Sequence, residues 1–351
     1  MKQRNKLLTI VVPSYNTEKY IDTCIPTMLK HQMCGQLEIL MVNDGSSDHT
    51  LSKLLRYERD YPDTVRVIDK QNGGHGSVIN IGIRQARGKY FKVVDGDDWV
   101  ISRNLERLIC CLNQGTYDLV VNPYIKLNVN TGRRKTVSFH GRKYRRLDFD
   151  SAACRLSEIE IHAATYRTSL LRKNHVTVRE NCFYEDTQYN IYPIRYVKSI
   201  YLLDFAVYVY RNGTKDQSIY PEKAYENRFM HKAVVMDCCN YYMKNKDISL
   251  PKRMYIERII RRRILSQYLL YLKNRNTYVG NSKRRSCCID MRADYKELLE
   301  WDRELKESFP YFFEKTNYFP ISCLRTRIIS FYRIIYRMYF LIQLLKKGAL
   351  L

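Results

Sequence analysis

Acidic side chains are scarce in this chain of 351 residues. Only 36 Asp+Glu stand against 60 Lys+Arg, a formal net charge of +24. No C-x-x-C pair occurs, which argues against a zinc site. The cysteines number eleven, an odd count, and adjacent pairs recur at Cys110-Cys111, Cys238-Cys239 and Cys287-Cys288. That pattern excludes a disulfide framework and fits reduced thiols in a cytosolic protein. No charge-free apolar run reaches the roughly eighteen residues of an ordinary spanning helix. The basic N-terminus leads into an apolar run that ends at Pro13-Ser14, too short for the core of a signal sequence. No internal repeat and no long Pro/Gly/Ser linker interrupts the chain.

What is present reads as globular: 45% hydrophobic and 27% charged residues. The length suggests two domains and suffices to bury a real core. The basic excess admits three kinds of partner: nucleic acid, an anionic membrane surface, or phosphorylated substrates.

The first part alternates strand-like and helix-like segments. "LLTIVV" (7–12), "LEILMV" (37–42), "VRVID" (65–69), "YFKVV" (90–94) and "YDLVV" (117–121) read as strands. Helical segments lie between them, and Pro26 should kink or shorten the first. Such alternation predicts an α/β, Rossmann-like, mainly parallel sheet covered on both faces. Ligands then bind beyond the carboxyl ends of the strands. Pro13 to Asn16, Asn43 to Ser46, Asn72 to Gly76 and Asp95 to Asp98 all fall there. From about residue 122 the pattern changes, with a hairpin expected around Asn130-Thr131-Gly132. From about 222 the chain reads as helical and very basic, with a mobile loop expected over 274–286. The expected division is 1–220 and 221–351.

Four stretches carry candidate chemistry. In "MVNDGSSD", Asp44 either accepts hydrogen bonds from a ligand such as a nucleobase or serves the turn and N-cap. "NGGHGSVINIG" fails G-x-G-x-x-G at Ile79 and has no Walker lysine. It passes close to a ligand phosphate or is a plain structural turn. "DGDDW" sets Asp95, Asp97 and Asp98 at the end of a buried strand. Uncompensated carboxylates there repel one another, and a cation resolves that. Carboxylates at i and i+2 can point the same way, so Asp95 and Asp97 could share Mg²⁺ or Mn²⁺. "YEDTQY" taken alone is a polar surface segment.

Together and in this order, "VVPSYN", "VNDGSSD", "NGGHGSVINIGI" and "ARGKYFKVVDGDDW" resemble the family 2 glycosyltransferases of the type A nucleotide-sugar fold. Downstream, "HAATYRTSLLRKN", "FYEDTQY" and "VYRNGTKDQS" are similar to segments of members that make bacterial capsules and exopolysaccharides. The resemblance implies a nucleotide-sugar donor, with UDP favoured. It sets Asp95 and Asp97 at the metal and Asp98 behind them. It implies that Asp44 reads the uracil edge and that Pro13 and Tyr15 line the base pocket, with Asn16, Asn72, Gly74, Asp95 and Gly96 around the donor. Asp186 is the implied base, with Glu185 beside it, His162 in the acceptor pocket and Arg211 on a phosphate. For His162 a structural role, and for Arg211 a surface ion pair, are the plain alternatives. One direct displacement would invert the anomeric configuration. Q-x-x-R-W, the mark of processive members, is absent, so one sugar per encounter is expected.

The segment 324–351 mixes large apolar residues with Arg325, Arg327, Arg333, Arg337, Lys346 and Lys347. It suits a helix lying in the headgroup region of an anionic membrane, or one packed on protein. Peripheral attachment at the cytoplasmic membrane face fits a lipid-linked saccharide acceptor; self-association stays open. Two other functions compete. A basic, Tyr-rich nucleic-acid-binding protein explains the charge but not three acids at a strand end. A non-catalytic scaffold built on a transferase domain sits poorly with an intact "DGDD" and "YED".

Overall fold

A computed structural model describes residues 6–29, 35–139, 145–214, 220–273 and 291–317. The expected loop 274–286, the expected helix 324–351 and residues 215–218 of "VYRNGTKDQS" lie outside the described residues.

The described residues form twelve strands. They are β1 (Lys6–Ser14), β2 (Leu37–Asp44), β3 (Val65–Lys70), β4 (Gly88–Val93), β5 (Trp99–Val100) and β6 (Leu119–Val121). The rest are β7 (Tyr124–Asn128), β8 (Arg134–Val137), β9 (Arg145–Asp148), β10 (Ala164–Arg167), β11 (Ser199–Leu202) and β12 (Tyr208–Asn212). The main sheet has eight strands in the order β3-β2-β1-β4-β10-β6-β11-β9. Strands β1 to β4 run parallel, as the apolar runs predict. Strand β10 enters antiparallel between β4 and β6, so the fifth expected strand does not adjoin the fourth. A smaller sheet, β5-β12-β7-β8, contains the expected hairpin, with Gly132 at φ 68° in its turn.

Burial explains the parallel half. Every residue of β2 is buried, and β1 is buried from Leu8 onward. Helices Thr50–Asp60, Gly74–Gln85 and Ser102–Gln114 follow β2, β3 and β5. Fully burying one Leu, Ile or Val side chain contributes roughly 1.5–3 kcal/mol. Pro26 shortens the first connection: one helical turn, Ile21–Cys24, gives way to a 3-10 turn, Ile25–Thr27. The described cysteines are all unpaired thiols. No helix among the described residues is long and apolar enough to cross a membrane.

Beyond residue 220 the described residues are mainly helical: Pro221–Glu226, Arg228–Lys244, Leu250–Lys273, Met291–Ser308 and Pro310–Lys315. These helices share the core of the preceding part. The Tyr255 hydroxyl accepts the Ile159 N–H at 2.8 Å, and Arg263 Nε donates to Thr187 Oγ1 at 2.9 Å.

Candidate active site

The parallel strands β1 to β4 deliver their carboxyl ends to one edge, and the four loops there are tied to each other. The Gly96 N–H donates to Pro13 O at 3.1 Å, and a Cβ at Gly96 would lie 2.7 Å from that oxygen. The Asn16 N–H donates to Ser46 Oγ at 3.0 Å, and Asn16 Oδ1 accepts the Ser47 N–H at 2.9 Å. Asn72 Nδ2 donates to Asp44 O at 2.9 Å. Tyr15 projects from this edge, 53% exposed.

Asp44 is buried and already oriented. Its Oδ1 accepts from Lys70 Nζ at 2.5 Å and from the Gly73 N–H at 3.0 Å. Oδ2 carries no hydrogen bond among the described residues.

The three acids of "DGDDW" separate into different surroundings. Asp98 is 1% exposed; its Oδ2 accepts the Tyr208 hydroxyl at 2.6 Å and its Oδ1 the Arg211 N–H at 2.7 Å. Burial and then the carboxylates of Asp97 and Asp95 push it well above the usual carboxylate range. Asp95 meets His75 Nε2 at 2.9 Å and the Tyr208 hydroxyl at 3.0 Å. Burial opposes its charge, but His75 outweighs that and brings it down to about 2. The Asp97 side chain is 32% exposed and faces the guanidinium of Arg211 at 3.7 Å. That guanidinium lies 4.0 Å over the ring of Tyr20.

Among the described residues, Asp95, Asp98 and His162 place one ligand atom each within 4.8 Å of one another. The expected pair was Asp95 and Asp97; Asp97 stands outside this trio because it turns toward Arg211. His162 Nδ1 is buried without a hydrogen bond and lies 3.9 Å from Asp95 Oδ2. The ring stacks on Tyr210 at 4.6 Å and packs against Tyr208 and Tyr124. Burial lowers it to about 4, so it is a neutral imidazole with an available lone pair. Carboxylates with one such nitrogen are a donor set that fits a hard divalent cation such as Mg²⁺ or Mn²⁺.

The Glu-Asp pair reaches the same edge from far along the chain. Glu185 is 4% exposed; its Oε1 meets His75 Nδ1 at 2.6 Å, and its Oε2 is buried without a partner. Asp186 opens the short helix Asp186–Ile191. Glu160 lies in its field: burial, then the Asp186 charge, pushes Glu160 up to about 7.

Three residues at this site have no role assigned by the sequence. His75 sits inside the glycine loop, and a lone histidine there was the available signal. Lys92 interrupts an apolar strand; its Nζ donates to His162 O at 2.8 Å and Asn122 Oδ1 at 3.3 Å, and burial lowers it to about 7. Tyr208 is one of 30 tyrosines and stands just ahead of "VYRNGTKDQS" without belonging to it.

Comparison with known proteins agrees with this architecture. A family model described as "Glycosyl transferase family 2" matches residues 9–175, a span that holds the four loops and His162 but stops short of Glu185. The chain is 31% identical over 235 residues to the uncharacterized glycosyltransferase EpsJ of Bacillus subtilis, covering 64% of this chain and 67% of EpsJ. It is 35% identical over 126 residues to the putative glycosyltransferase EpsH of the same organism, 36% of each chain. The chain thus spans two thirds of one relative and about a third of the other. Residues 1–349 of S. aureus TarS superpose with a TM-score of 0.64 at 19% identity, over 95% of this chain and 91% of that one. The likeness to TarS is one of fold. With the motif order, the parallel half-sheet and these matches in agreement, the chain belongs to the family 2 glycosyl transferases.

Proposed function

We propose that this chain is an inverting, metal-dependent, non-processive transferase that moves one sugar from a UDP-sugar to a lipid-linked saccharide. The product would enter a capsule, exopolysaccharide or other cell-surface glycan, and the work would be done at the cytoplasmic membrane face. The observation that carries this reading is a junction. The acids after β4 and the Glu185–Asp186 turn, about ninety residues apart in sequence, meet on the single imidazole of His75.

The cation would be held by Asp95, with Asp97 turning from Arg211 to join it and His162 as a further donor, and Asp98, whose oxygens are taken by Tyr208 and the Arg211 N–H, would stand behind them. When bound it supplies positive charge to the diphosphate leaving group. Arg211, braced on Tyr20, would add a guanidinium to the same phosphates. Asp44 Oδ2 would accept from the nucleobase, with Pro13 and Tyr15 beside the ring. Asn16, Asn72, Gly74 and Gly96 would shape the donor pocket. Asp186 would take the proton of the acceptor hydroxyl as its oxygen bonds to the anomeric carbon and the bond to the diphosphate breaks. His162 and its tyrosines would form one wall for the acceptor. The choice of UDP rests on the family resemblance and on TarS, which shares the fold and has been crystallised with UDP-GlcNAc.

The test is calorimetric titration of UDP with Mn²⁺ and then with EDTA, on the wild type and on Asp97→Ala. We expect binding that needs the metal and is lost in the variant. No UDP binding in either condition sinks the UDP-donor reading.

A further inference from the structure

His75 has no part in the reaction as proposed, yet it is the group on which both halves of the site meet. It is the second residue of helix Gly74–Gln85. Both ring nitrogens face carboxylate oxygens: Nδ1 to Glu185 Oε1 at 2.6 Å and Nε2 to Asp95 Oδ1 at 2.9 Å. A carboxylate only accepts, so each contact calls on the ring to donate. The Glu185 oxygen it holds belongs to a side chain 4% exposed. Water cannot readily replace the imidazole there.

The backbone prepares this contact. Gly74 stands at φ 79°, which a side chain would strain, and that turn lets Gly73 O accept the Asn181 N–H at 2.6 Å. Gly76 leaves room for Arg179: a Cβ at Gly76 would lie 2.0 Å from Arg179 O. Segment 179–182 therefore lies directly on the first turn of the helix, and it leads into Glu185 and Asp186. The glycines dock the segment, and His75 ties its acid to the acid after β4.

We propose that His75 is a positioning residue that fixes Glu185 against Asp95 and so sets the spacing between the donor-diphosphate side and the acceptor-activating side. This rests on the assignment of those two sides given above. Removing the imidazole leaves a buried carboxylate and a partly exposed one facing each other without a donor between them, and each will move.

The experiment is a double-mutant cycle of His75→Ala and Glu185→Gln with two readouts, UDP affinity in Mn²⁺ and thermal midpoint. Glu185 is not among the residues assigned to the nucleotide, and its hydrogen-bonded link to them runs through His75. Expected: each single substitution raises the UDP Kd by about tenfold, the double variant is no worse than His75→Ala alone, and the thermal losses are equally non-additive. His75→Gln, which keeps one amide donor, recovers part of both and replaces His75→Ala in the cycle if the alanine variant does not fold. Additive effects, or a Glu185→Gln variant with unchanged Kd, overturn the proposal. If the wild type binds no UDP, the donor reading has failed, and additivity or coupling in the thermal midpoints still decides the role of His75.

Discussion

At the scale of single residues, Asp97 and Asp98 are neighbours with opposite duties. Asp98 joins the loop after β4 to β12 through Tyr208 and the Arg211 N–H, both at hydrogen-bond distance. Asp98→Ala leaves the Arg211 N–H without its acceptor and the Tyr208 hydroxyl with only its longer bond to Asp95. One unsatisfied buried group costs about 1–3 kcal/mol, so we expect a loss of that order in urea unfolding, with Arg211 displaced. Asp97→Ala removes a side chain that is 32% exposed. It is expected to cost less than about 0.5 kcal/mol while abolishing metal-dependent UDP binding. If the two substitutions cost the same stability, this division of labour is wrong. Asp44, the "DGDD" acids and the Glu-Asp pair are legible in the sequence because each sits in a contiguous motif at a strand or helix end. The wall formed by His162, Tyr208 and Tyr210 is not: it is assembled across β12 and the turn before β10, and no local spacing records a contact between them.

At the scale of elements, the helix Arg228–Lys244 carries a buried histidine that makes its packing sensitive to acid. His231 is 5% exposed, and its Nδ1 meets Gln267 Oε1 of helix Leu250–Lys273 at 2.6 Å. Burial lowers it to about 4, from 6.5 in the unfolded chain. Between those values the unfolded state binds the proton and the folded state does not. Stability is therefore full above about pH 6.5 and falls as the pH drops toward 4. The drop from 6.5 to about 4 corresponds to roughly 3 kcal/mol over that range. The check is the slope of unfolding free energy against pH in wild type and in His231→Leu. The variant is expected to be less stable at neutral pH, since Gln267 Oε1 loses its partner, but its slope between pH 6.5 and 4 should be shallower. Equal slopes would remove His231 from the account. The parallel strands β1 to β4 are readable as unbroken apolar runs. Strand β10 is not, because four residues, Ala164–Arg167, carry no periodicity that separates a strand from a turn.

At the scale of the whole molecule, the division into 1–220 and 221–351 follows a real change in composition. The packing across that line is nevertheless intimate. One hydrophobic core runs from Leu8 in β1 to Phe312 in the final described helix. The backbone N–H of Ile159 depends on the hydroxyl of Tyr255, and Thr187, next to Asp186, depends on Arg263. Gln188 Nε2 and Arg179 Nη1 both donate to Asp237 Oδ2, at 3.0 and 2.6 Å. The basic helices thus brace the segment that carries the candidate base as well as covering apolar surface. A chain ending at residue 220 would expose that core and leave buried polar groups unpaired. We expect it to aggregate or to lack fixed tertiary structure by near-ultraviolet circular dichroism, with no UDP binding. We expect the full chain to unfold in a single calorimetric transition. Two separated transitions, or a soluble and folded 1–220 fragment, would show that the helical region folds apart from the transferase half, and that the candidate base is held by its own half of the chain.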